Sequence, residues 1–239
     1  MATKQLTIPG IGDVTLYKRR GNRSLRLSVG LNGEVRVSLP YWVPYAAAIE
    51  FAKSKASWIA NHQSERNPEL RHGQLIGKAH RLTFQPTASA RTTTRILPTE
   101  VRILHPLALP VSDDSVQTKA QQASIRALRQ EAERLLPGRL RTLAEKHGFS
   151  FTSVDVKQLK SRWGSCNSMQ EITLNLFLMQ LPWHLIDYVL LHELTHTKVM
   201  QHGEPFWREL ESHLPRAKAL KNEINTYQPV LSPEPLTVA

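Results

Sequence analysis

Two histidines four residues apart, His192 and His196, enclose Glu193 in the run His192-Glu193-Leu194-Thr195-His196, and a third histidine, His202, follows six residues later. Helical side chains at i and i+4 share a face, so both imidazoles can aim a ring nitrogen at one metal ion. Neutral imidazole suits zinc, and a site with three protein ligands keeps a position open for water or substrate. A zinc ion so held acidifies water towards neutral pH and polarises a carbonyl. A carboxylate beside the first ligand can take the proton of the attacking water and pass it to a leaving amine. Hydrolysis is the chemistry these residues spell, with the peptide bond as its best target. The opposing reading is a pair of hydrogen-bonded core histidines beside an incidental glutamate.

The elements that must position these groups are legible around them. Leu181 to Val199 reads as a helix, with Pro182 at its first position, where a missing amide hydrogen costs nothing. Leu185, Tyr188, Val189, His192 and His196 form one stripe, and Ile186, Leu190 and Leu194 a second, so the helix is expected to be buried over much of its surface. Imidazoles on such a face are costly unless satisfied, and a metal satisfies them. His202 falls beyond the helix end. Its offset is that of the metzincin pattern, but the glycine that makes the metzincin turn is replaced here by Val199. Gly203 is expected to relieve the reversal instead. A further helix starts near Glu204-Pro205-Phe206-Trp207, and its Glu209 and Glu211 compete as third ligands in the thermolysin-like manner. The short offset and the donor type favour His202.

Ahead of the helix, Ile172, Leu174 and Leu176 alternate with Thr173 and Asn175, the pattern of a half-buried strand. Such a strand is expected at the edge of a cleft, where a peptide pairs with it through backbone hydrogen bonds. Asn175 is a candidate for holding substrate or steadying a metal ligand, against the plainer reading of a solvent-facing polar residue. Arg162 suits a substrate carboxylate or phosphate, or else buttresses a loop carbonyl. Trp163 is expected to plug the core, and Gly164 to mark a tight turn or a close backbone approach. Tyr188, one turn before His192, either orients that ring, donates to an oxyanion, or simply packs. Cys166 is the only cysteine, which excludes an intrachain disulfide and leaves a fourth metal ligand or a small buried filler as its roles.

Three stretches, Lys160-Ser-Arg-Trp-Gly-Ser-Cys166, Glu171-Ile-Thr-Leu-Asn-Leu176 and the helix running on into His202-Gly-Glu-Pro-Phe-Trp207, resemble the YgjP-like metallopeptidase family, related to SprT-like and WLM proteases. Arg-rich strands before Leu39-Pro40 and a helix ending near Trp58-Ile59 extend the resemblance from about Tyr17 to about Tyr227. It implies a Zn2+ cofactor held by His192, His196 and His202, Glu193 as catalytic base, and a polypeptide substrate. Glu204-Pro205 departs from the family's usual small polar residue after the third histidine. Some bacterial relatives carry a nucleotide pyrophosphatase label, which keeps a second reaction class beside the first.

The whole chain is expected to be α+β: a β-rich N-terminal lobe with one helix (1–108), a helical zincin-like core with a short edge sheet (109–228) and a flexible tail (229–239). Strands are expected over Leu6–Ile11, Val14–Tyr17, Leu25–Val29 and Val35–Leu39, with a hairpin turn at Asn32-Gly33. A helix from Pro44 to about Asn61 and strands over Ile76–Leu82 and Val101–Leu104 complete the lobe, with Thr87 to Thr94 as a loop. Ser112 to His147 is helical in composition, with Pro137-Gly138 expected to kink or break it, and Phe149 to Val156 is a candidate strand. No apolar run suggests a signal peptide or a membrane span, so a cytoplasmic protein is the expectation. The net charge of +11 is large for 239 residues. Lys18, Arg19, Arg20, Arg23, Arg26 and Arg36 concentrate it in the first lobe, where it is expected to draw nucleic acid or acidic polypeptides at low salt. A basic binding module with a structural zinc is therefore the non-enzymatic alternative. The oligomeric state is left open.

Overall fold

Alternation of apolar residues along the first strands builds a core that closes before residue 70. The computed structural model describes residues 3–30, 34–60 and 69–232, and the chain divides into two compact units, Met1–Glu69 and Leu70–Ala239. In the first, β1 (Thr3–Ile8), β2 (Gly12–Arg19), β3 (Arg26–Val29) and β4 (Val35–Pro40) form a sheet in the order β1-β2-β4-β3. Strands β2 and β4 run parallel, and the other two pairs are antiparallel. Val14, Leu16, Val35, Val37 and Leu39 share a buried core with Ala48 and Ala52 of α1 (Tyr45–Ser54). The helix expected to run from Pro44 to about Asn61 is interrupted by a turn at Lys55 and resumes over 56–60, which carries Ile59 into the same core. The Asn32-Gly33 turn lies outside the described residues.

The second unit begins with β5 (Leu75–Ile76), β6 (His80–Thr87), β7 (Thr93–Leu97) and β8 (Glu100–Pro106), in the order β5-β6-β8-β7. Leu82, Phe84, Val101 and Ile103 of this sheet are buried in one core with Val116, Ala120, Ala123 and Ala127 of the long helix α2 (Asp114–His147). The boundary expected near residue 108 therefore moves to 69/70, because these strands bury their apolar faces with the long helix. Strand β7 occupies part of the stretch expected to be a loop; its side chains are no better than half-buried, which is why alternation did not betray it.

Helix α2 opens on Asp113, whose side chain accepts from the Ser115 amide, and stops at Gly148 in the left-handed conformation at φ 67°. It runs through Pro137-Gly138 without a break. Leu136 and Leu140 are fully buried to either side, and that burial outweighs one missing backbone hydrogen bond.

The third sheet, β9 (Ser153–Lys157), β10 (Gly164–Cys166) and β11 (Glu171–Asn175), has the order β10-β11-β9. A 3-10 turn over Leu176–Gln180 leads to α3 (Trp183–His196), followed by α4 (Glu204–His213) and α5 (Ala217–Ile224). The tail is not loose from residue 229: Leu231 is buried, and the Ser232 carbonyl accepts from Gln74 Nε2 at 2.8 Å. Residues 233–239 lie outside the description. The architecture is α+β, and no described helix is long and apolar enough to cross a membrane.

Two polar links hold α3 in place. Arg139 of α2 meets Asp187 with both ends of its guanidinium fork, Nη2 to Oδ2 at 2.6 Å. Glu131 of α2, buried to 1% exposure, accepts from the amides of Lys78 at 2.6 Å and Ala79 at 3.0 Å and from the His80 ring. The Lys78 ammonium donates in turn to the Leu181 carbonyl, two residues before α3 begins. Gly77 is left-handed at φ 69°, and a Cβ there would meet the Glu131 carboxylate at 2.3 Å. Replacing Glu131 with Ala leaves buried donors without a partner, so urea denaturation of that variant is expected to show a loss of about 3 kcal/mol or more.

Candidate metal centre

Helix α3 carries its apolar residues nearly all round, and ten of its fourteen positions are buried, so His192 and His196 project from an element packed on most of its surface. The chain then reverses between Thr197 and Gly203. His202 returns with Nε2 at 2.9 Å from His192 Nε2 and 3.1 Å from His196 Nε2. Around a zinc ion with bonds of about 2.0–2.1 Å, tetrahedral N–N edges would be about 3.3 Å, so the three nitrogens need only a slight spread to hold one. The Nδ1 hydrogen of His196 points at the Val199 carbonyl, 3.1 Å away, which leaves the lone pair on Nε2.

Phe206, fully buried at the start of α4, lies with its ring centroid 4.6–4.8 Å from all three imidazoles and forms the floor beneath them. Burial pushes His192 down to about 3, assisted by the charges of His196, His202 and Lys221, and burial lowers His196 too. Both rings are held neutral, the state in which imidazole binds a metal.

The turn to His202 is made without a left-handed residue, since no positive φ occurs between 197 and 203. Gly203 has φ −85° and ψ −172°, an extended conformation open to any residue, and a Cβ there would touch only Pro205 at 3.5 Å. It does not relieve the reversal, contrary to expectation. Val199 stands where the metzincin pattern has glycine, and its carbonyl is what the His196 ring requires. Glu209 pairs with Lys198 at 2.8 Å and Glu211 with Lys218 at 3.1 Å, so neither joins the histidines. Among the described residues, the group able to hold a metal consists of His192, His196 and His202.

Glu193 is 5% exposed, and its Oε2 has no hydrogen-bond partner among the described residues. Burial pushes its carboxyl up to about 8, against a downward pull from the Arg162 guanidinium. Gly164 of β10 lies directly against it: a Cβ there would sit 2.7 Å from Oε1 and 2.8 Å from Cγ. The glycine marks a close approach, with the carboxylate occupying the space a side chain would take.

Arg162, Gly164, Ser165, Cys166 and Tyr188 join the histidines and Glu193 in lining a cleft of ≈520 Å³. Arg162 is exposed there. Tyr188 packs its ring 5.8 Å from that of His192, and burial raises its hydroxyl to about 12, so it stays a donor. Cys166 is half-buried rather than a core filler, with its thiol pushed up to about 11, first by burial and then by the Glu193 charge.

Asn175 does not reach the cleft. Its side chain is fully buried, donates to the carbonyls of Leu159 at 3.0 Å and Arg162 at 2.8 Å, and caps the 3-10 turn at the Phe177 amide. It pins the loop that presents Arg162. The strand that lines the cleft is β10, not β11, because β11 is central and has both edges paired.

Phe206 and the cleft residues Lys221, Ile224 and Asn225, from α5 and the residue after it, were not anticipated. The apolar pair Phe206 and Leu210 signalled a buried helix face, whereas nothing in the sequence around Lys221 signals a cleft.

The family model described as YgjP-like, metallopeptidase domain, matches residues 23–227. Comparison with curated proteins gave no significant match. Among solved structures, the chain is similar to the metallopeptidase zymogen abylysin of Pyrococcus abyssi, with 30% identity and a TM-score of 0.34 over 36% of this chain and 89% of that one. It is also similar to the metallopeptidase zymogen jannalysin of Methanocaldococcus jannaschii, with 20% identity and a TM-score of 0.33 over 36% of this chain and 90% of that one.

The contact between Gly164 and Glu193 yields a direct test. Gly164→Ala is expected to displace the carboxylate while sparing the imidazoles. Elemental analysis should find metal content unchanged, and hydrolysis of an unfolded protein should fall at least about tenfold, the scale of a misplaced catalytic group.

Proposed function

Because the chain belongs to the YgjP-like metallopeptidase family, we propose that it is a zinc-dependent peptidase in which His192, His196 and His202 hold the ion and Glu193 is the general base. The observation that carries this reading is the convergence of three imidazoles beside a buried carboxyl group, one of whose oxygens has no partner among the described residues. Zinc, when bound, supplies Lewis acidity and lowers the pKa of water.

Glu193 takes the proton of the attacking water and returns it to the leaving amine. Its raised pKa puts it in the range where a carboxyl both accepts and gives up a proton near neutral pH. The Tyr188 hydroxyl, kept protonated, donates to the oxygen on which negative charge develops. Arg162, exposed at the cleft, receives a carboxylate of the substrate. Strand β10 has one edge paired to β11, and no strand among the described residues covers the other. An extended peptide adds there through its backbone, so recognition depends more on shape than on side-chain identity.

The two alternatives from the sequence fit less well. Glu193 is the sole carboxylate among the cleft-lining residues, whereas metal-assisted phosphoryl hydrolysis draws on several, often around two ions. A structural zinc takes four protein ligands, and the histidine group has three.

Glu193→Gln is expected to retain zinc and lose about 10²–10⁴-fold in hydrolysis of an unfolded protein substrate. Unchanged turnover in this variant would overturn the assignment. Chelation of the metal should abolish activity in the native protein and re-addition of zinc restore it, while pyrophosphate release from nucleoside triphosphates should stay at background throughout.

A further inference from the structure

The topology of the first unit gathers charge and aromatic surface at one end of its sheet. Strand β2 ends at Arg19, which is in register with Pro40 at the end of parallel β4. Strand β3 begins at Arg26, opposite Ser38 of antiparallel β4. The segment from Arg20 to Leu25 therefore joins β2 to β3 across the end of β4, the point at which Tyr41 and Trp42 emerge. Arg19, Arg20, Arg23 and Arg26 are all exposed. Tyr41 is 62% and Trp42 70% exposed, large values for aromatic residues.

Among the described residues, no carboxylate forms an ion pair with Arg19, Arg20, Arg23 or Arg26. Residues 3–60 hold nine basic and three acidic residues. Asp13 accepts from the Thr7 hydroxyl at 2.7 Å, Glu34 pairs with Arg36 at 2.7 Å, and Glu50 pairs with Lys53 at 2.9 Å. Lys18 steadies the aromatic edge: its ammonium donates to the Tyr41 carbonyl at 2.9 Å and lies 5.5 Å from the centre of the Tyr41 ring.

We infer that this end of the sheet binds single-stranded nucleic acid, with the arginines along the phosphates and Trp42 and Tyr41 stacking on unpaired bases. A patch of uncompensated guanidinium groups selects a polyanion. Exposed aromatic faces select one that offers flat, unpaired bases, which a duplex keeps stacked inside and an acidic peptide lacks. Among the described residues of this unit, the exposed large apolar side chains are all aromatic. The inference does not depend on the metal site.

Fluorescence anisotropy of the full-length protein with a labelled oligothymidylate of about fifteen nucleotides, against the matching duplex, is the test, since such lengths suit one stacking module. The single strand is expected to bind more tightly. Trp42→Ala should weaken single-strand binding on the order of tenfold while leaving duplex binding little changed. Arg19→Ala and Arg20→Ala should each flatten the logarithmic salt dependence by about 0.7, the share of one phosphate contact. All three positions are exposed, so circular dichroism and peptide hydrolysis should stay at native levels. The inference is overturned by no binding at low salt, by equal affinity for duplex and single strand with Trp42→Ala silent, or by preferential binding to polyglutamate or to vesicles of anionic phospholipid.

Discussion

Three imidazole nitrogens are forced within about one hydrogen-bond length of one another, and much of the second unit exists to hold them there. Rings packed this closely keep their places only on stiff supports. Two rings share α3, which is buried over most of its surface and clamped to α2 through Asp187 and Arg139. The third is delivered by a turn closed at one end by the His196–Val199 contact, and Phe206 lies under all three. Burial serves two ends. It keeps His192 neutral and ready to ligate, and it raises Glu193 into the range where a carboxyl exchanges protons near neutral pH.

The wall facing the histidines is built by displacement from the obvious place. Strand β11 carries the regular apolar alternation and lies in the middle of its sheet, where it serves as a scaffold. The three residues of β10 line the cleft, with Gly164 yielding its side-chain space to Glu193. Asn175, at the end of β11, ties down the loop before β10 through two carbonyls. One strand therefore sets the positions of Arg162 and Gly164 without touching the cleft itself.

The sequence made the histidine group legible because helical periodicity fixes two of its members relative to each other, and a six-residue offset leaves the third few places to go. Strands β2 to β4 were legible from alternation and the long helix from composition, whereas β1 spans Thr3–Ile8 and not Leu6–Ile11, because Pro9-Gly10 turns the chain. What stayed hidden depends on distant partners. The Glu131 contact with residues 78–80 spans more than fifty positions, and it belongs to the packing that assigns the second sheet to α2 and moves the unit boundary to residue 70. Asn175 looked like a cleft residue because a polar side chain at a strand end has the same local signature whether it faces a substrate or a loop carbonyl. Pro137 looked like a breaker because its local cost is visible, while the burial of Leu136 and Leu140 that offsets it is not.

The hydrogen bond between Gln74 and Ser232 brings the first and last described turns of the second unit together. The start of this unit and its last described residues thus meet at one place. That hydrogen bond couples the two, so fraying that starts at either place loosens the other and exposes the buried Leu231.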